Sequence, residues 1–225
     1  MTATPTAAHR PRWERRKEAR PAELLAAALA LFVEKGYAGT RLDDVAARAG
    51  VSKGTLYLYF ENKEELFKAV VRENIVRDIA QAQQAVAAHE GASGELLAQM
   101  LRHWWQRVGD SPVGGITKLV LAESGNFPEI ARFWVEEVIE PAHRIIGSVL
   151  ERGIARGEFR SVDVPTFVRV LTAPMVMLLL WRHSFDACCH QRIDPQRYVD
   201  VHIDATLHAL QPVSTSKRRT TRVRR

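Results

Sequence analysis

Residues 40–63 read TRLDDVAARAGVSKGTLYLYFENK, and this stretch decides the fold. Its apolar residues recur at three- and four-residue spacing on both sides of a tight turn at residues 49–51, which predicts two short helices. Thr40 followed by Asp43 predicts a capping box at the start of the first helix, and Ser52 predicts a cap for the second. Two short helices joined in this way indicate a helix-turn-helix, whose second helix enters the major groove of DNA.

The second helix of this motif has one apolar side and one polar side. On a helical wheel, Leu56 and Phe60 point to the core, and Gly54 on the opposite side lets the backbone approach DNA closely. Thr55 and Leu58 can contact base edges, including thymine methyl groups, while lysine and tyrosine side chains can reach phosphates. Simple packing remains the alternative for the tyrosines. The residues expected to contact DNA are Thr40, Arg41, Ser52, Lys53, Gly54, Thr55, Tyr57, Leu58, Tyr59 and Lys63.

The motif and its flanks resemble the N-terminal domain of the TetR family of transcriptional regulators. The resemblance is carried by Gly36-Tyr37, Thr40, Asp44-Val45-Ala46, residues 49–57 (AGVSKGTLY), Phe60 and residues 62–66 (NKEEL). It implies an all-α homodimer that reads a palindromic operator in double-stranded DNA across successive major grooves. It also implies a C-terminal domain that binds a small molecule and dimerises through its last two long helices. Leu58 departs from the polar or aromatic residue often found at its position in the family.

The rest of the chain also has helical periodicity, so the predicted fold class is all-α. We expect a basic disordered arm (residues 1–19), a three-helix DNA-binding domain (20–66), a helical ligand-binding and dimerisation domain (67–212) and a basic disordered tail (213–225). A fourth helix, with Asn62 as its predicted cap, runs on through Ile79 and joins the two domains. Later helices are predicted over residues 94–108, 116–123, 128–156, 165–185 and 195–210, with a kink or break at Pro141 and Pro174.

The basic residues concentrate at the two ends of the chain. The 225 residues have a formal net charge of +6. Residues 1–20 carry six basic and two acidic residues, and residues 213–225 carry six basic residues and no acidic one, which leaves a net charge of −4 for residues 21–212. Such segments suit polyanions, because each neutralised phosphate releases counterions. We expect the N-terminal segment to contact phosphates or the minor groove, whereas a solubilising role is an equal alternative for the C-terminal one.

Aromatic and methionine side chains cluster in the later helices. Packing in the core of a bundle explains most of them, but flexible methionines and tryptophans also suit an apolar ligand pocket. We expect the effector to be a small hydrophobic molecule, uncharged or weakly anionic. The residues expected to contact it are Met100, His103, Trp104, Phe133, Trp134, Met175 and Trp181.

The last two long helices are assigned to the subunit interface. Their apolar faces are expected to pack as four helices around a twofold axis. The first face consists of Val168, Leu171, Thr172, Met175, Leu178 and Leu179, and the second of Tyr198, Val201, His202, Ala205 and residues 207–210.

The sequence gives only weak indications of a membrane protein, a metal or redox protein, or an enzyme. The longest nearly unbroken apolar run, residues 173–181, is far shorter than the roughly 20 residues of a membrane span. Cys188, Cys189 and His190, with His183 nearby, leave a metal or redox role open beside plain packing, and no catalytic motif is present. With two cysteines and no secretory pattern, we expect a cytoplasmic regulator without cofactor or metal, most simply a repressor. An activator or global regulator is the alternative, and an enzyme or redox sensor is the competing class.

Overall fold

The computed structural model describes residues 12–188 and 192–212. In these residues the regular secondary structure is helical throughout, which confirms the all-α fold class. Three π-helical turns, Arg72–Val76, Trp105–Gly109 and Val135–Ile139, directly follow α4, α6 and α8. The α-helices are α1 (Arg12–Gly39), α2 (Leu42–Arg48), α3 (Lys53–Tyr57), α4 (Lys63–Val71), α5 (Arg77–Ala88), α6 (Ser93–Trp104), α7 (Gly114–Glu123), α8 (Pro128–Trp134), α9 (Glu140–Ala155), α10 (Val164–Ser184) and α11 (Pro195–Leu210).

The helices form two compact units. The first consists of Met1–Ile79 and Asp110–Val138, and the second of Ala80–Gly109 and Ile139–Arg225. The helices α7 and α8 therefore belong with the N-terminal helices, an arrangement that the sequence did not predict. The helical run from α4 through its π-helical turn into α5 crosses the boundary between the units, as expected for a helix that joins two domains.

An aromatic cluster forms the core of the first unit. Phe32 of α1 and Phe67 of α4 are fully buried, and their rings meet edge to face at 5.2 Å. Tyr37 stacks on Phe32 at 5.9 Å and meets the edge of Phe127, just before α8, at 4.8 Å. Large buried rings with this geometry contribute both apolar area and directional contacts. The cluster therefore ties α1 and α4 of the DNA-binding region to the connection between α7 and α8.

The end of α1 differs from the predicted capping arrangement. Gly36 breaks the helix with a φ of +76°, a conformation that glycine adopts without strain. The predicted capping box of Thr40 and Asp43 is wrong, because Arg41 is the N-cap residue of α2 and makes no side-chain cap bond. The Thr40 hydroxyl instead donates to the Gly36 carbonyl at 2.7 Å and lies 3.1 Å from the Leu31 carbonyl. Thr40 thus provides a hydrogen-bond donor to carbonyls at the end of α1, and only 1% of its surface is exposed.

Three further expectations about the helices have different outcomes. The predicted helix over residues 128–156 is α8, a π-helical turn and α9, and Pro141 lies in the first turn of α9, so the chain changes geometry just before it. Of the kink or break predicted at Pro174, a break does not occur, because α10 runs through it. The carbonyl that loses its donor there belongs to Val170, which is exposed to water. Because α1 begins at Arg12, residues 12–19 of the predicted disordered arm are helical. Residues 1–11 and the basic tail 213–225 lie outside the described residues.

The helix α10 packs against α9 and α11 in the second unit. Its predicted interface face is wrong, because that face points into the unit: the buried residues are Val168, Leu171, Met175, Leu178 and Leu179. The apolar groups that α10 leaves exposed are Val170 and Met177, on the other side. Within the described residues, α10 is also the one helix long and apolar enough to cross a membrane by length and composition. One such helix is weak evidence for a membrane span, because core helices of globular proteins can have the same length and composition.

Candidate nucleic-acid interface

The local sequence builds α3 from a cap, a turn and one buried anchor. Gly50 has a φ of +66° and lets the chain turn between α2 and α3. The Ser52 hydroxyl oxygen accepts the backbone N–H of Thr55 at 3.1 Å, which confirms the predicted cap. Leu56 is fully buried, and the amides of Tyr59 and Phe60 both donate to its carbonyl at 3.0 Å. The helical path therefore continues from α3 as far as Phe60.

The opposite side of this segment is open to solvent. Leu58 has 82% of its surface exposed, Tyr57 46% and Tyr59 36%. A Cβ atom placed on Gly54 would have only the Ser52 hydroxyl near it, at 3.9 Å, so this part of the backbone is free to approach a ligand. The helical-wheel prediction that Leu56 faces inward and that Gly54 and Leu58 face outward is therefore confirmed.

The basic side chains around α3 are paired with acidic ones. The Lys53 ammonium lies 2.9 Å from an Asp43 carboxylate oxygen, and this hydrogen-bonded pair raises the pKa of Lys53 above its ordinary value. In the same way, Lys35 pairs with Asp44 at 2.9 Å, and Arg48 pairs with Glu34 at 2.8 Å. Residues 20–66 carry six basic and seven acidic side chains, so the region has a net charge of −1. The surface around the recognition helix is thus close to neutral.

Two of the residues predicted to contact DNA are engaged inside the first unit. The Lys63 ammonium donates to the Tyr37 carbonyl at 2.8 Å and to the Ala38 carbonyl at 3.3 Å, and it lies 4.5 Å from the centre of the Tyr37 ring. Burial lowers the pKa of Lys63. Its side chain therefore joins the start of α4 to the end of α1 in the free protein, and its contact with a phosphate stays a prediction. Thr40 is buried at the end of α1, so its hydroxyl does not lie on the DNA-facing surface.

The remaining predicted residues share the outer surface. Ser52, Lys53, Gly54, Tyr57, Leu58 and Tyr59 are exposed along one continuous segment, with Thr55 half-buried among them, and Arg41 is exposed at the N-cap of α2. The structure therefore brings eight of the ten predicted residues onto α3 and its flanks or the start of α2. We call the exposed part of residues 53–59 the recognition surface.

Sequence reasoning missed one residue that supports this region. A carboxylate oxygen of Glu123, the last residue of α7, lies 3.5 Å from the Ala38 amide. Its charge also favours the protonated form of Lys63. Burial, and then the carboxylates of Glu64 and Glu129, raise the pKa of the Tyr37 phenol to about 12. No local signal could identify Glu123, because 85 residues separate it from its partner.

The predicted effector residues do not lie in one unit. Phe133 and Trp134 are buried on α8 of the first unit. The others belong to α6 and α10 of the second unit, where Met175 is buried, Met100, Trp104 and Trp181 are half-buried, and His103 is exposed. Among the seven, the indole N–H of Trp181 is buried and has no hydrogen-bond partner within the described residues. An open depression on α11 is lined by none of the seven; its residues are Asp194, Gln196, Arg197, Asp200, Val201 and Asp204.

The cysteine region provides no built metal site in the part that the structure describes. Across residues 12–188 and 192–212, no three His, Cys, Asp or Glu side chains are grouped to hold an ion. Cys188 is a free thiol and is exposed, while Cys189 and His190 lie outside the described residues. His183 lies 3.1 Å from the Gly109 carbonyl.

Comparison with known proteins agrees with this geometry. The family model for bacterial regulatory proteins of the tetR family matches residues 24–70, and a tetracyclin repressor-like C-terminal domain matches residues 90–194. The chain is 28% identical to the fatty acid metabolism regulator protein of Bacillus subtilis over 146 residues, which are 64% of this chain and 74% of that protein. It is 32% identical to the HTH-type transcriptional regulator YhgD of B. subtilis over 149 residues, 62% of this chain and 72% of that one.

The fold is also shared with solved structures. The transcriptional regulator FadR from B. subtilis, in complex with stearoyl-CoA, superposes with a TM-score of 0.70 at 22% identity, over 84% of this chain and 99% of that chain. Both domains are therefore matched, and the helix-turn-helix lies on α2 and α3 within the first of them. The chain belongs to the TetR family of transcriptional regulators.

Proposed function

We propose that this TetR-family regulator is a repressor that binds a palindromic operator as a homodimer and leaves it when a hydrophobic effector binds. The observation that carries the proposal is the recognition surface, which has an open glycine and three exposed large side chains and lies over the buried Leu56. A helix anchored on one side by Leu56 and open on the other has the geometry that major-groove reading requires.

The electrostatics also support binding to a specific sequence more than general attraction to DNA. A region with a net charge of −1 and paired lysines gains little from counterion release alone. Affinity must then come from shape and base contacts, together with the basic residues of positions 1–20. We expect a large difference between the operator and a scrambled duplex at physiological salt.

Dimerisation is proposed through the exposed sides of α10 and α11. Val170 and Met177 on α10 and Val201 on α11 are large apolar side chains that one subunit leaves more than half exposed. A twofold arrangement would cover these sides in both copies at once. It would also supply the second recognition helix that a palindrome needs.

The proposed effector is a long-chain acyl compound, with acyl-CoA as the first to be tested. Two comparisons favour this chemistry, a relative named for fatty acid metabolism and a structural neighbour that holds stearoyl-CoA. The unpartnered indole N–H of Trp181 supports a ligand that offers a hydrogen-bond acceptor within an apolar setting, such as a thioester carbonyl. If the protein around Trp181 opened to admit such a ligand, the indole N–H could donate to the ligand carbonyl.

Release is proposed to act through the helical run from α4 to α5. The two recognition helices of a dimer must match half-sites about 34–36 Å apart, so a small displacement removes most of the specific affinity. The π-helical turn Arg72–Val76 lies in this run, and Arg72 makes two hydrogen bonds to Glu137 at 2.6 and 3.0 Å. A displacement of α5 would therefore move α4 and change the geometry of the Arg72–Glu137 ion pair.

The test is a binding titration with DNA from upstream of the chain's own coding region. Fluorescence anisotropy should show tight binding that a scrambled duplex does not reproduce, and stearoyl-CoA should release the duplex while CoA alone does not. In vitro transcription from the same template should fall when the protein is added. Light scattering should give twice the 25.4 kDa mass of one chain. Equal affinity for both duplexes, a monomeric mass, or release by CoA alone would each contradict part of the proposal.

A further inference from the structure

Leu58 is the most exposed large apolar residue on the recognition surface. It has 82% of its surface exposed and lies between Tyr57 and Tyr59, at the C-cap of α3. An exposed leucine is not unusual by itself. On a surface that must be desolvated against DNA, however, it has to meet an apolar group if its contact is to favour binding. A role for Leu58 in base preference rests on the proposed function, because it requires that this same surface enters the groove.

The polar groups beside Leu58 are largely engaged within the protein. The Ser52 hydroxyl accepts the Thr55 amide and also lies 2.8 Å from the Thr55 hydroxyl, so both hydroxyls belong to the cap. The Lys53 ammonium is paired with Asp43 and lies 5.9 Å from the centre of the Tyr57 ring. Gly54 has no side chain. Direct hydrogen bonding to bases therefore falls mainly to the two tyrosine hydroxyls.

The major groove offers one apolar group for such a side chain. Among the four bases only thymine carries a methyl group in the major groove, at C5. The other recognition features of the base edges in that groove are hydrogen-bond donors and acceptors. An aliphatic side chain can therefore distinguish thymine from the other bases without a hydrogen bond. Thr55 also has a methyl group, but Thr55 is half-buried, whereas Leu58 projects outward.

We propose that Leu58 sets base preference by packing on the 5-methyl group of one thymine in each operator half-site. The open backbone at Gly54 allows the helix to lie deep enough in the groove for this contact. Removal of the methyl group should then weaken binding by about four-fold per half-site, the effect of one buried carbon group, and by about fifteen-fold when both half-sites are changed.

The test replaces thymine with uracil, which lacks only that methyl group. A high-affinity duplex is first selected from random sequence with the full chain, and each thymine is then replaced in turn, in both half-sites. One position should show the expected loss with the wild type. With Leu58→Ala the selected duplex should bind more weakly, and uracil at that position should change the affinity by less than about 1.5-fold. Leu121→Ala, an exposed leucine of α7, is the control and should keep the wild-type pattern.

Each outcome decides a different point. If the uracil effect persists in Leu58→Ala but disappears in Thr55→Ser, which keeps the hydroxyl and removes the methyl, Thr55 is the reader and the inference is wrong. If a specific duplex is selected and no uracil position depends on Leu58, the inference fails while the proposed function stands. If selection yields no specific duplex, both fail. Melting curves of the variants should match the wild type, because Leu58 contributes little to the core.

Discussion

From the ion pair between Lys53 and Asp43 we predict how DNA binding depends on salt concentration. In the free protein the Lys53 ammonium lies 2.9 Å from Asp43, and both side chains are about half exposed. Asp43→Asn keeps the size of the side chain and removes its charge, so the ammonium becomes free to neutralise a phosphate. Exposed pairs contribute little to folding, and we therefore expect an unchanged melting curve.

The expected size follows from counterion release. Each additional phosphate contact makes the slope of log K against log salt concentration more negative by about 0.9, and a dimer has two such lysines. Between 50 and 200 mM KCl, the affinity of Asp43→Asn should fall by up to about twelve-fold more than that of the wild type. At the low end of this range the variant should bind more tightly.

The assay is fluorescence anisotropy with one labelled duplex at five or six KCl concentrations. Asp44→Asn is the matched control, because it removes the same charge one residue away but releases Lys35 of α1, to which it is bound at 2.9 Å. We expect the larger change in slope for Asp43→Asn. If the two variants have equal slopes, or if Asp43→Asn matches the wild type, Lys53 does not act at a phosphate and this reasoning is refuted.

Three other predictions concern the frame that supports the recognition surface. Gly36→Ala should lower the free energy of unfolding by about 1–3 kcal/mol in urea denaturation, because a φ of +76° with a ψ of 174° is a conformation that residues other than glycine rarely adopt; an unchanged midpoint would contradict this. Thr40→Val should lower the free energy of unfolding by about 1–3 kcal/mol, since it leaves buried carbonyls without their donor, while the affinity of the folded variant for its duplex should stay the same; a weaker affinity with an intact fold would indicate that Thr40 contacts DNA. The Arg72 guanidinium lowers the pKa of Glu137, so the pair stabilises the fold above the ordinary carboxyl pKa of 4.5 and less as pH falls through the lowered value. Glu137→Gln should therefore be less stable than the wild type at pH 7, with a gap that narrows toward pH 3; a gap that widens would contradict the assignment.

The parts of the fold that the sequence predicted correctly depend on local signals. Ser52 and Asn62 cap helices because their side chains accept amides three residues ahead, at 3.1 and 2.9 Å. The burial of Leu56 and the exposure of Leu58 follow from helical periodicity within one short segment. These features needed no knowledge of distant contacts.

The errors occur where a distant partner or a choice of face decides the outcome. The contact of Lys63 with the Tyr37 carbonyl, 26 residues away in the chain, could not be predicted from local sequence, and a phosphate contact of Lys63 stays a prediction. On α10 both sides are apolar, so periodicity could not tell the buried side at Leu171 from the exposed side at Met177. The division into two units also depends on contacts that the sequence pattern does not contain, and the effector residues stay a prediction.

Photo-cross-linking of the bound duplex tests the recognition surface most directly. In the selected duplex, 5-bromouracil replaces single thymines and is close in size to the methylated base, so it preserves the fit proposed for Leu58. After irradiation and trypsin digestion, we expect the DNA-linked peptide to be residues 54–63, GTLYLYFENK, which contains Tyr57 and Tyr59 and is released by cleavage after Lys53 and Lys63. Cross-links confined to peptides outside residues 40–63, from a duplex that is bound specifically, would show that another surface reads the DNA.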